Sequence, residues 1–166
     1  MTDSWGAYPS VFALGHKAVK ELLLDPVVVE EKVDGSQFSF GRFPDGLRCR
    51  SKGATIYPDA PDSMFAKAVE VVKGLPLCEG WTYRAEYLMK PKHNALAYDR
   101  IPQGHLIIFD ISPGVEDYLG WFDKRDEATR VGLEVVPCLW SGVLEDPGTL
   151  TELLLSVSCL GGQRIK

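Results

Sequence analysis

The sequence has few of the residues that build disulfide frameworks or zinc sites. It contains four cysteines and three histidines, all widely spaced. None of the cysteines forms a Cys-x-x-Cys pair; they are Cys49, Cys78, Cys138 and Cys159. Disulfide frameworks and zinc sites usually show closely spaced pairs, so we expect neither. Scattered thiols fit a reducing compartment, and we expect a cytoplasmic protein.

Long apolar runs are also missing. No apolar stretch approaches the ~20 residues that a helix needs to cross a bilayer. The N-terminus carries Asp3 and Trp5, where a secretory signal has basic residues followed by an apolar run. We therefore expect no signal peptide, no membrane span and no membrane partner.

The chain lacks an excess of positive charge. It has 18 basic and 23 acidic residues, for a net charge of −5. Domains that bind nucleic acid are usually basic, so this balance disfavours tight wrapping of a duplex and long-range attraction to one. It leaves room for a local basic groove, for which the candidates are Arg48, Arg50, Lys52, Lys90 and Lys92.

What the chain does contain is typical of one soluble domain. Its 166 residues are 45% apolar and 25% charged, enough to form a single hydrophobic core. Apolar spacing predicts helices at 10–24, 63–73, 121–131 and 150–158, the second capped by Asp62 and the last by a Thr149–Glu152 capping box. Alternation predicts strands at 27–32, 37–42, 47–52, 83–88, 106–111 and 133–140. Strand pairs with irregularly placed helices favour an α+β fold with mostly antiparallel sheets flanked by helices.

The most informative segment is Glu31-Lys32-Val33-Asp34-Gly35-Ser36. It lies between two strand-like runs, so we predict a strand, a tight glycine turn and a strand with Lys32 at the junction. A lysine shielded between buried strands has a lowered pKa and can act as a nucleophile. Asp34 sets the local charge, and Gly35 allows close approach of backbone or phosphate. The alternative is an ordinary surface hairpin.

This segment resembles the Lys-x-Asp-Gly motif of the covalent nucleotidyltransferases, which comprise ATP-dependent DNA ligases, RNA ligases and mRNA capping enzymes. The form Glu-Lys-Val-Asp-Gly-Ser is most similar to the phage-type RNA ligases that seal nicks in double strands. The resemblance implies that Lys32 becomes covalently linked to AMP and that Glu31 reads the adenine edge. It also implies the adenylylation-domain fold, with the nucleotide held between two antiparallel sheets, and the host cytoplasm as its location if a phage encodes it.

Downstream motifs follow in the family's order. Arg48, Arg50 and Lys52 follow an Asp-Gly turn and alternate along a predicted strand; the resemblance implies that Arg50 and Lys52 contact the nucleotide. Glu86 lies in a predicted strand, and the resemblance makes it a ribose contact and metal ligand. The loop after it carries Lys90 and Lys92, which are expected to contact nucleic acid. A solvated edge strand, a wet-face glutamate and a plain surface loop are the alternatives.

The strand at 106–111 carries an acid in an apolar run, which is costly unless the acid has a function. Its Phe109-Asp110-Ile111 resembles the family's Phe-Asp-Ile motif, which implies that Phe109 stacks on adenine and Asp110 faces the metal. Alternation along a strand points neighbours to opposite faces. We therefore expect one of the two to reach the nucleotide from the strand edge or through water. The alternative for Phe109 is a core residue.

Together these resemblances imply an ATP-dependent RNA ligase that uses Mg²⁺ or Mn²⁺ and acts on RNA ends or nicked duplexes, with Asp34 and Gly35 completing the nucleotide site. The alternatives are a DNA ligase and a non-catalytic relative that binds nucleotide or nucleic acid. Relatives continue into a Glu-Gly-Val-Val-Lys-like strand and a Lys-x-Lys strand, neither of which is present. Residues 1–166 are therefore expected to form the N-terminal part of the domain, weak or inactive alone and a partner for the missing part.

Overall fold

The computed structural model describes residues 3–166 and contains eight strands and three α-helices. The strands are β1 (Val27–Glu30), β2 (Ser36–Phe43), β3 (Gly46–Ser51), β4 (Thr55–Ile56), β5 (Thr82–Tyr87), β6 (Leu106–Ser112), β7 (Glu134–Val135) and β8 (Cys138–Gly142). The helices are α1 (Ala66–Lys73), α2 (Trp121–Val131) and α3 (Gly148–Leu153). No helix within the described range is long and apolar enough to cross a membrane.

The strands form two sheets. The main sheet has six strands in the order β4-β3-β2-β5-β6-β7, and the small sheet pairs β1 with β8. All pairings are antiparallel except that of β6 with β7. This arrangement confirms the expected α+β fold with mostly antiparallel sheets.

Alternation along the main sheet gives it one apolar and one polar face. Phe38, Phe40 and Tyr83 point into the core, where they pack with side chains of α1 and α2. The positions between them carry polar side chains, among them Ser39 and Arg84. Because α1 and α2 cover the apolar face, the opposite face, here called the polar face, is the one that can line a cleft.

The predicted helix at 10–24 is wrong. The segment contains only two short 3₁₀ turns, Lys17–Val19 and Leu22–Leu24. Gly15, just before the first of them, has a φ of 93°, which no right-handed helix accommodates. The apolar residues of the pattern stay in solvent, with Val11 82% exposed and Leu14 58% exposed. Helical spacing alone does not make a helix where no core surface receives the apolar stripe.

The other helices are closer to expectation. Helix α2 coincides with the predicted 121–131. Helix α1 begins at Ala66 with Phe65 as its N-cap residue, so Asp62 is not the cap. Helix α3 begins at Gly148 and Thr149 lies inside it, so the predicted capping box is wrong as well.

Two strand predictions need correction at the small sheet. The predicted strand at 133–140 is divided, since β7 pairs with the main sheet and β8 with β1. The break falls at Pro137, which has no N–H to continue a ladder. Strands β1 and β2 do not form a hairpin, because they belong to different sheets. Residues 31–35 therefore cross from one sheet to the other, and Lys32 lies in that crossing.

Candidate active site

A cavity of about 650 Å³ opens where the end of β1 meets the polar face of the main sheet. It is lined by side chains from the N-terminal segment, β1, β2, β5 and β6, and from residues 31–35, which we call the crossing loop. Its lining consists of Tyr8, Pro9, Ser10, Val11, Glu30, Glu31, Lys32, Val33, Gly35, Gln37, Lys52, Glu86, Phe109, Asp110 and Val136. This volume lies within the range of small-molecule sites, roughly 300–1,000 Å³.

Lys32 occupies the mouth of this cavity. Its neighbours Glu31 and Val33 are buried, whereas Lys32 itself is exposed. The expected shielding between two strands is therefore wrong: the crossing loop presents the lysine to the cavity and to solvent. Among residues 3–166, no hydrogen bond or ion pair engages its amine, so the nitrogen is free to reach a ligand.

Asp34 does not line the cavity; it anchors the crossing loop from behind. Its Oδ2 accepts hydrogen bonds from the backbone N–H groups of Ala95 and Leu96, both at 3.0 Å. Its Oδ1 lies 2.9 Å from the Lys166 Nζ. Burial raises the pKa of Asp34, but the hydrogen bonds from Lys166 and Leu96 outweigh it and hold the pKa below its ordinary value. The Asp34 carboxylate therefore stabilises the position of the crossing loop.

Gly35 is required by close packing. A Cβ at this position would lie 2.7 Å from the Tyr87 carbonyl oxygen, so any side chain would push β2 and β5 apart. The Gly35 carbonyl accepts a hydrogen bond of 2.7 Å from Asn94 Nδ2. The loop that supplies Asn94, residues 89–98, also bonds to Ser36 through His93. We call it the clasp loop, because it holds the crossing loop in place.

Lys90 and Lys92 lie on the outer side of the clasp loop. Both are exposed, and neither lines the cavity. Three other residues of the same loop, Asn94, Ala95 and Leu96, bind Asp34 and Gly35. The two lysines are therefore placed for contact with a molecule outside the cavity.

Glu86 points from β5 into the cavity and has an unusual acidity. Burial raises its pKa to about 7, an effect that the nearby Lys32 amine opposes. A carboxyl that titrates near neutrality inside a cavity is typical of functional sites. Glu86 can therefore gain or lose a proton, or bind a cation, under physiological conditions.

Phe109 and Asp110 both line the cavity, although they are adjacent in one strand. Arg84 faces Asp110 while Ala85 faces Ile108, so Phe109 is the extra residue of a β-bulge. A bulge interrupts the alternation of side chains and re-aims them. Ile108 and Ile111 consequently both pack in the core. The expectation that one of the two reaches the site only from the strand edge or through water is wrong.

Lys124 stabilises this bulge from helix α2, a role that the sequence did not reveal. Its Nζ lies 2.8 Å from the Phe109 carbonyl oxygen and 2.5 Å from Glu30 Oε1. The lysine is 4% exposed. Burial raises the pKa of Glu30, and the Lys124 ammonium opposes that rise. The contact ties β1, β6 and α2 together at the wall of the cavity.

Tyr8 is a second site residue that sequence reasoning missed. Its hydroxyl donates a 2.8 Å hydrogen bond to Asp110 Oδ2, and its ring meets Phe109 edge-on, with centroids 5.1 Å apart. Burial raises the pKa of Asp110, and the Tyr8 hydrogen bond opposes the rise. Tyr8 lies more than 100 positions from its partner, and its local sequence carries no recognisable motif.

The basic residues Arg48, Arg50 and Lys52 differ in their position relative to the cavity. Arg48 and Arg50 flank the buried Cys49 on β3, as alternation predicts, but neither lines the cavity. Arg48 binds Asp3 at 2.7 Å. Lys52, just beyond the strand, does line the cavity.

Most of the predicted site residues line one cavity. Those that line it are Glu31, Lys32, Gly35, Lys52, Glu86, Phe109 and Asp110. Those that do not are Asp34, Arg50, Lys90 and Lys92.

A divalent ion at this site would need ligands beyond the protein. Within residues 3–166, no group of three or more histidine, cysteine or acidic side chains is arranged to hold a metal. Glu86 and Asp110 do line one cavity. Mg²⁺ commonly binds through one or two carboxylates, waters and substrate phosphates. The donor set therefore fits an ion that arrives with a nucleotide.

Comparison with known proteins identifies the family. A family model described as RNA ligase matches residues 25–162, which include the crossing loop, the clasp loop and β6. The chain belongs to the RNA ligase family. No curated protein matches this RNA ligase-family chain.

Solved structures share the fold of this RNA ligase-family chain. A Naegleria gruberi RNA ligase with PPi matches with a TM-score of 0.63 and 14% identity, over 99% of this chain and 54% of that one. A mutant of that enzyme with ATP and Mn matches with a TM-score of 0.61 and 14% identity, over 99% and 53%. A protein from Aquifex aeolicus described as an ATP-dependent DNA ligase matches with a TM-score of 0.58 and 18% identity, over 89% and 42%. The chain spans about half the length of these structures.

Proposed function

We propose that this chain carries the nucleotide-binding, lysine-bearing part of an ATP-dependent RNA ligase. The observation that carries the proposal is the single cavity lined by Lys32, Glu86, Phe109 and Asp110. A nucleophile, two carboxylates and an aromatic ring are the groups that nucleotidyl transfer needs in one place. They come from the crossing loop, β5 and the β6 bulge, which lie far apart in sequence.

The proposed chemistry begins at Lys32. Its unprotonated Nζ attacks the α-phosphorus of ATP; an N–P bond forms, the bond to pyrophosphate breaks and the amine loses a proton. An oxygen of an RNA 5′-phosphate then attacks the same phosphorus and releases the lysine. Finally an RNA 3′-hydroxyl attacks the 5′-phosphate, and AMP leaves as the strands join. The exposed position of Lys32 allows ATP and then an RNA end to approach it in turn.

The other cavity residues bind and orient the nucleotide. The Phe109 ring offers a flat apolar partner for adenine, and Glu31 accepts a hydrogen bond from the base. Lys52 contacts the phosphates, with Arg50 beside it as an additional cation. Lys90 and Lys92, outside the cavity, contact the RNA ends.

Glu86 and Asp110 would hold a divalent ion, Mg²⁺ or Mn²⁺, together with the ATP phosphates. When bound, that ion supplies positive charge that offsets the charge on the phosphates during transfer. Glu86 must be ionised to serve as a ligand, and its raised pKa makes this sensitive to pH near neutrality.

The test is covalent labelling with α-labelled ATP and a divalent cation, followed by a denaturing gel. We expect label on the wild type and none on Lys32→Arg, because a guanidinium stays protonated and cannot attack. Lys67→Arg is the matched control, since Lys67 is an exposed helix residue that pairs with Glu70. Label that maps to another lysine would overturn the assignment. Reversible ATP binding without label would favour a non-catalytic nucleotide-binding relative.

RNA is the proposed substrate because the family model is that of RNA ligases. The fold likeness to the Aquifex aeolicus protein makes DNA joining the second candidate. The two are separated by offering nicked RNA and nicked DNA duplexes of the same sequence to a full-length protein that contains this chain. Faster sealing of RNA supports the proposal, and faster sealing of DNA contradicts it.

A further inference from the structure

Glu31, the residue before the proposed nucleophile, is held by a loop from the far end of the chain. It is 3% exposed and lines the cavity. Its Oε1 accepts a hydrogen bond from the Ser158 hydroxyl. Its Oε2 accepts another, of 2.9 Å, from the backbone N–H of Cys159. Each carboxylate oxygen therefore has one protein donor and retains further acceptor capacity.

The direction of the Ser158 hydrogen bond follows from its surroundings. Ser158 is 5% exposed, and its Oγ accepts a 3.1 Å hydrogen bond from the Leu160 N–H. Its own proton is then free to point at Glu31. Because a carboxylate oxygen accepts hydrogen bonds, this donor holds the Glu31 carboxylate in a fixed orientation.

The loop that carries Ser158 is itself rigidly placed. The Leu160 carbonyl accepts hydrogen bonds from the N–H groups of Asp99 and Arg100, at 3.1 and 3.2 Å. The Arg100 guanidinium reaches the Cys159 carbonyl at 3.1 Å and pairs with Glu134 of β7 at 2.8 Å. Gly162 has a φ of 82°, and a Cβ there would lie 2.9 Å from the Asp99 nitrogen. The loop that binds Glu31 is therefore held in one conformation by its own hydrogen bonds and packing. A binding site that depends on a precise geometry needs such support.

We propose that Ser158 is a positioning residue that fixes the Glu31 carboxylate as the reader of the nucleobase and so selects adenine over guanine. This inference rests on the proposed function. A carboxylate oriented in the cavity accepts a hydrogen bond from the exocyclic amine of adenine. The carbonyl oxygen that guanine carries at the same position would face a negative acceptor and lose that bond. Without the hydroxyl of Ser158, the carboxylate can rotate and the distinction weakens.

The experiment measures ATP and GTP affinity by titration calorimetry, together with the KM and kcat of lysine labelling. Ser158→Ala should weaken ATP binding about tenfold, the order expected for a lost hydrogen bond to a charged group. The ATP-to-GTP preference should fall, while kcat at saturating ATP stays close to the wild-type value. Ser158→Thr keeps the hydroxyl and should restore both affinity and preference. Ser156→Ala is the control, because Ser156 belongs to the same segment and holds it through its backbone.

Unchanged ATP affinity and unchanged base preference in a folded Ser158→Ala protein would overturn the inference. Should that variant fail to fold, Glu31→Gln provides the second test, since it leaves the Ser158 loop in place. It should also lose base preference, and a preference equal to the wild type would overturn the inference as well. In a double variant, adding Ser158→Ala to Glu31→Gln should cause no further loss of preference.

The two proposals fail in different ways. If the wild type binds ATP in preference to GTP but forms no lysine–AMP bond, the proposed catalysis is wrong. The role of Ser158 is then tested by the ATP and GTP affinities of Ser158→Ala alone. If the wild type forms the bond but Ser158→Ala keeps its preference, only the inference is wrong. A wild type that binds neither nucleotide overturns both.

Discussion

Phe109 shows how one residue can be both a core contact and a ligand contact. The β6 bulge turns its ring toward the cavity while the ring still packs against the smaller hydrophobic cluster, which includes Ile107. The Tyr8 ring lies nearly perpendicular to the Phe109 ring, at an interplanar angle of 82°.

We predict that Phe109→Ala raises the Kd for ATP about five- to tenfold, since aromatic stacking contributes about 1 kcal/mol beyond buried area. Fluorescent-nucleotide titration measures the change. Phe122→Ala is the control, because Phe122 is 68% exposed on α2 and lines no part of the cavity. Equal ATP affinity in Phe109→Ala and the wild type would contradict stacking.

Glu86 makes the stability of the protein depend on pH. Its folded pKa of about 7 lies above its ordinary value of 4.5. Between these two values the folded state binds more protons than the unfolded state, so the free energy of unfolding falls as pH rises through this window. The cost is that of an ionised carboxylate in a partly buried position.

We predict that Glu86→Gln removes this pH dependence and stabilises the protein near pH 8, with little effect near pH 5. Urea unfolding across this range measures it. The same variant should lose lysine labelling if Glu86 holds the divalent ion. Glu152→Gln, at an exposed position of α3, should change neither quantity. Parallel stability curves for the wild type and Glu86→Gln would show that the carboxyl does not titrate near neutrality.

At the scale of elements, the site depends on joints between segments more than on any single strand. The crossing loop joins the two sheets, the clasp loop holds it from one side, and Lys124 holds the β6 bulge from α2. Because Lys124 contacts both Glu30 and the Phe109 carbonyl, it fixes the distance between β1 and β6 at the wall of the cavity.

We predict that Lys124→Met lowers the free energy of unfolding by about 2 kcal/mol. This is the usual cost of losing a hydrogen bond to a charged group when its buried partner is left unpaired. Adding Glu30→Gln should recover part of this loss, because it removes the unpaired carboxylate. Equilibrium urea unfolding gives both values. Lys67→Met, at an exposed helix position, should have a much smaller effect. A loss no larger than that of the control would mean that solvent replaces the lysine at no cost.

At the scale of the whole molecule, the two sheets differ in how well they are supported. The main sheet has six strands and is covered by two helices on its apolar face. The small sheet has two strands, and its Val28 is 49% exposed. Two-stranded sheets are marginal by themselves. The polar wall of the cavity is therefore firmer than the wall formed by β1.

We predict that backbone amides of β1 and β8 exchange with solvent faster than those of β2 and β5, because segments with few buried contacts open more easily. Hydrogen exchange followed by NMR or mass spectrometry measures this. ATP should slow exchange in β1 if the nucleotide bridges the two sheets. Equal protection in both sheets without ligand would show that the small sheet is as stable as the main one.

The fold class, most strand positions and the motif around Lys32 can be predicted from the amino-acid sequence alone. Alternation in β2, β3, β5 and β6 is a local signal, and each of these strands forms within one or two residues of its prediction. Glu86, Phe109 and Asp110 could also be predicted, because an acid in an apolar strand and a family-like order of motifs are visible in the sequence.

How these residues come together depends on the packing of segments that are distant in sequence. The bulge at Phe109, the sheet switch at Pro137 and the exposure of Lys32 depend on which strands pair. The contacts of Tyr8 with Asp110, Lys124 with Glu30 and Ser158 with Glu31 span 102, 94 and 127 positions. Such contacts leave no trace in local periodicity, since one hydroxyl or amine at the right distance is enough to make them. They exist only once the packed core has brought distant segments together.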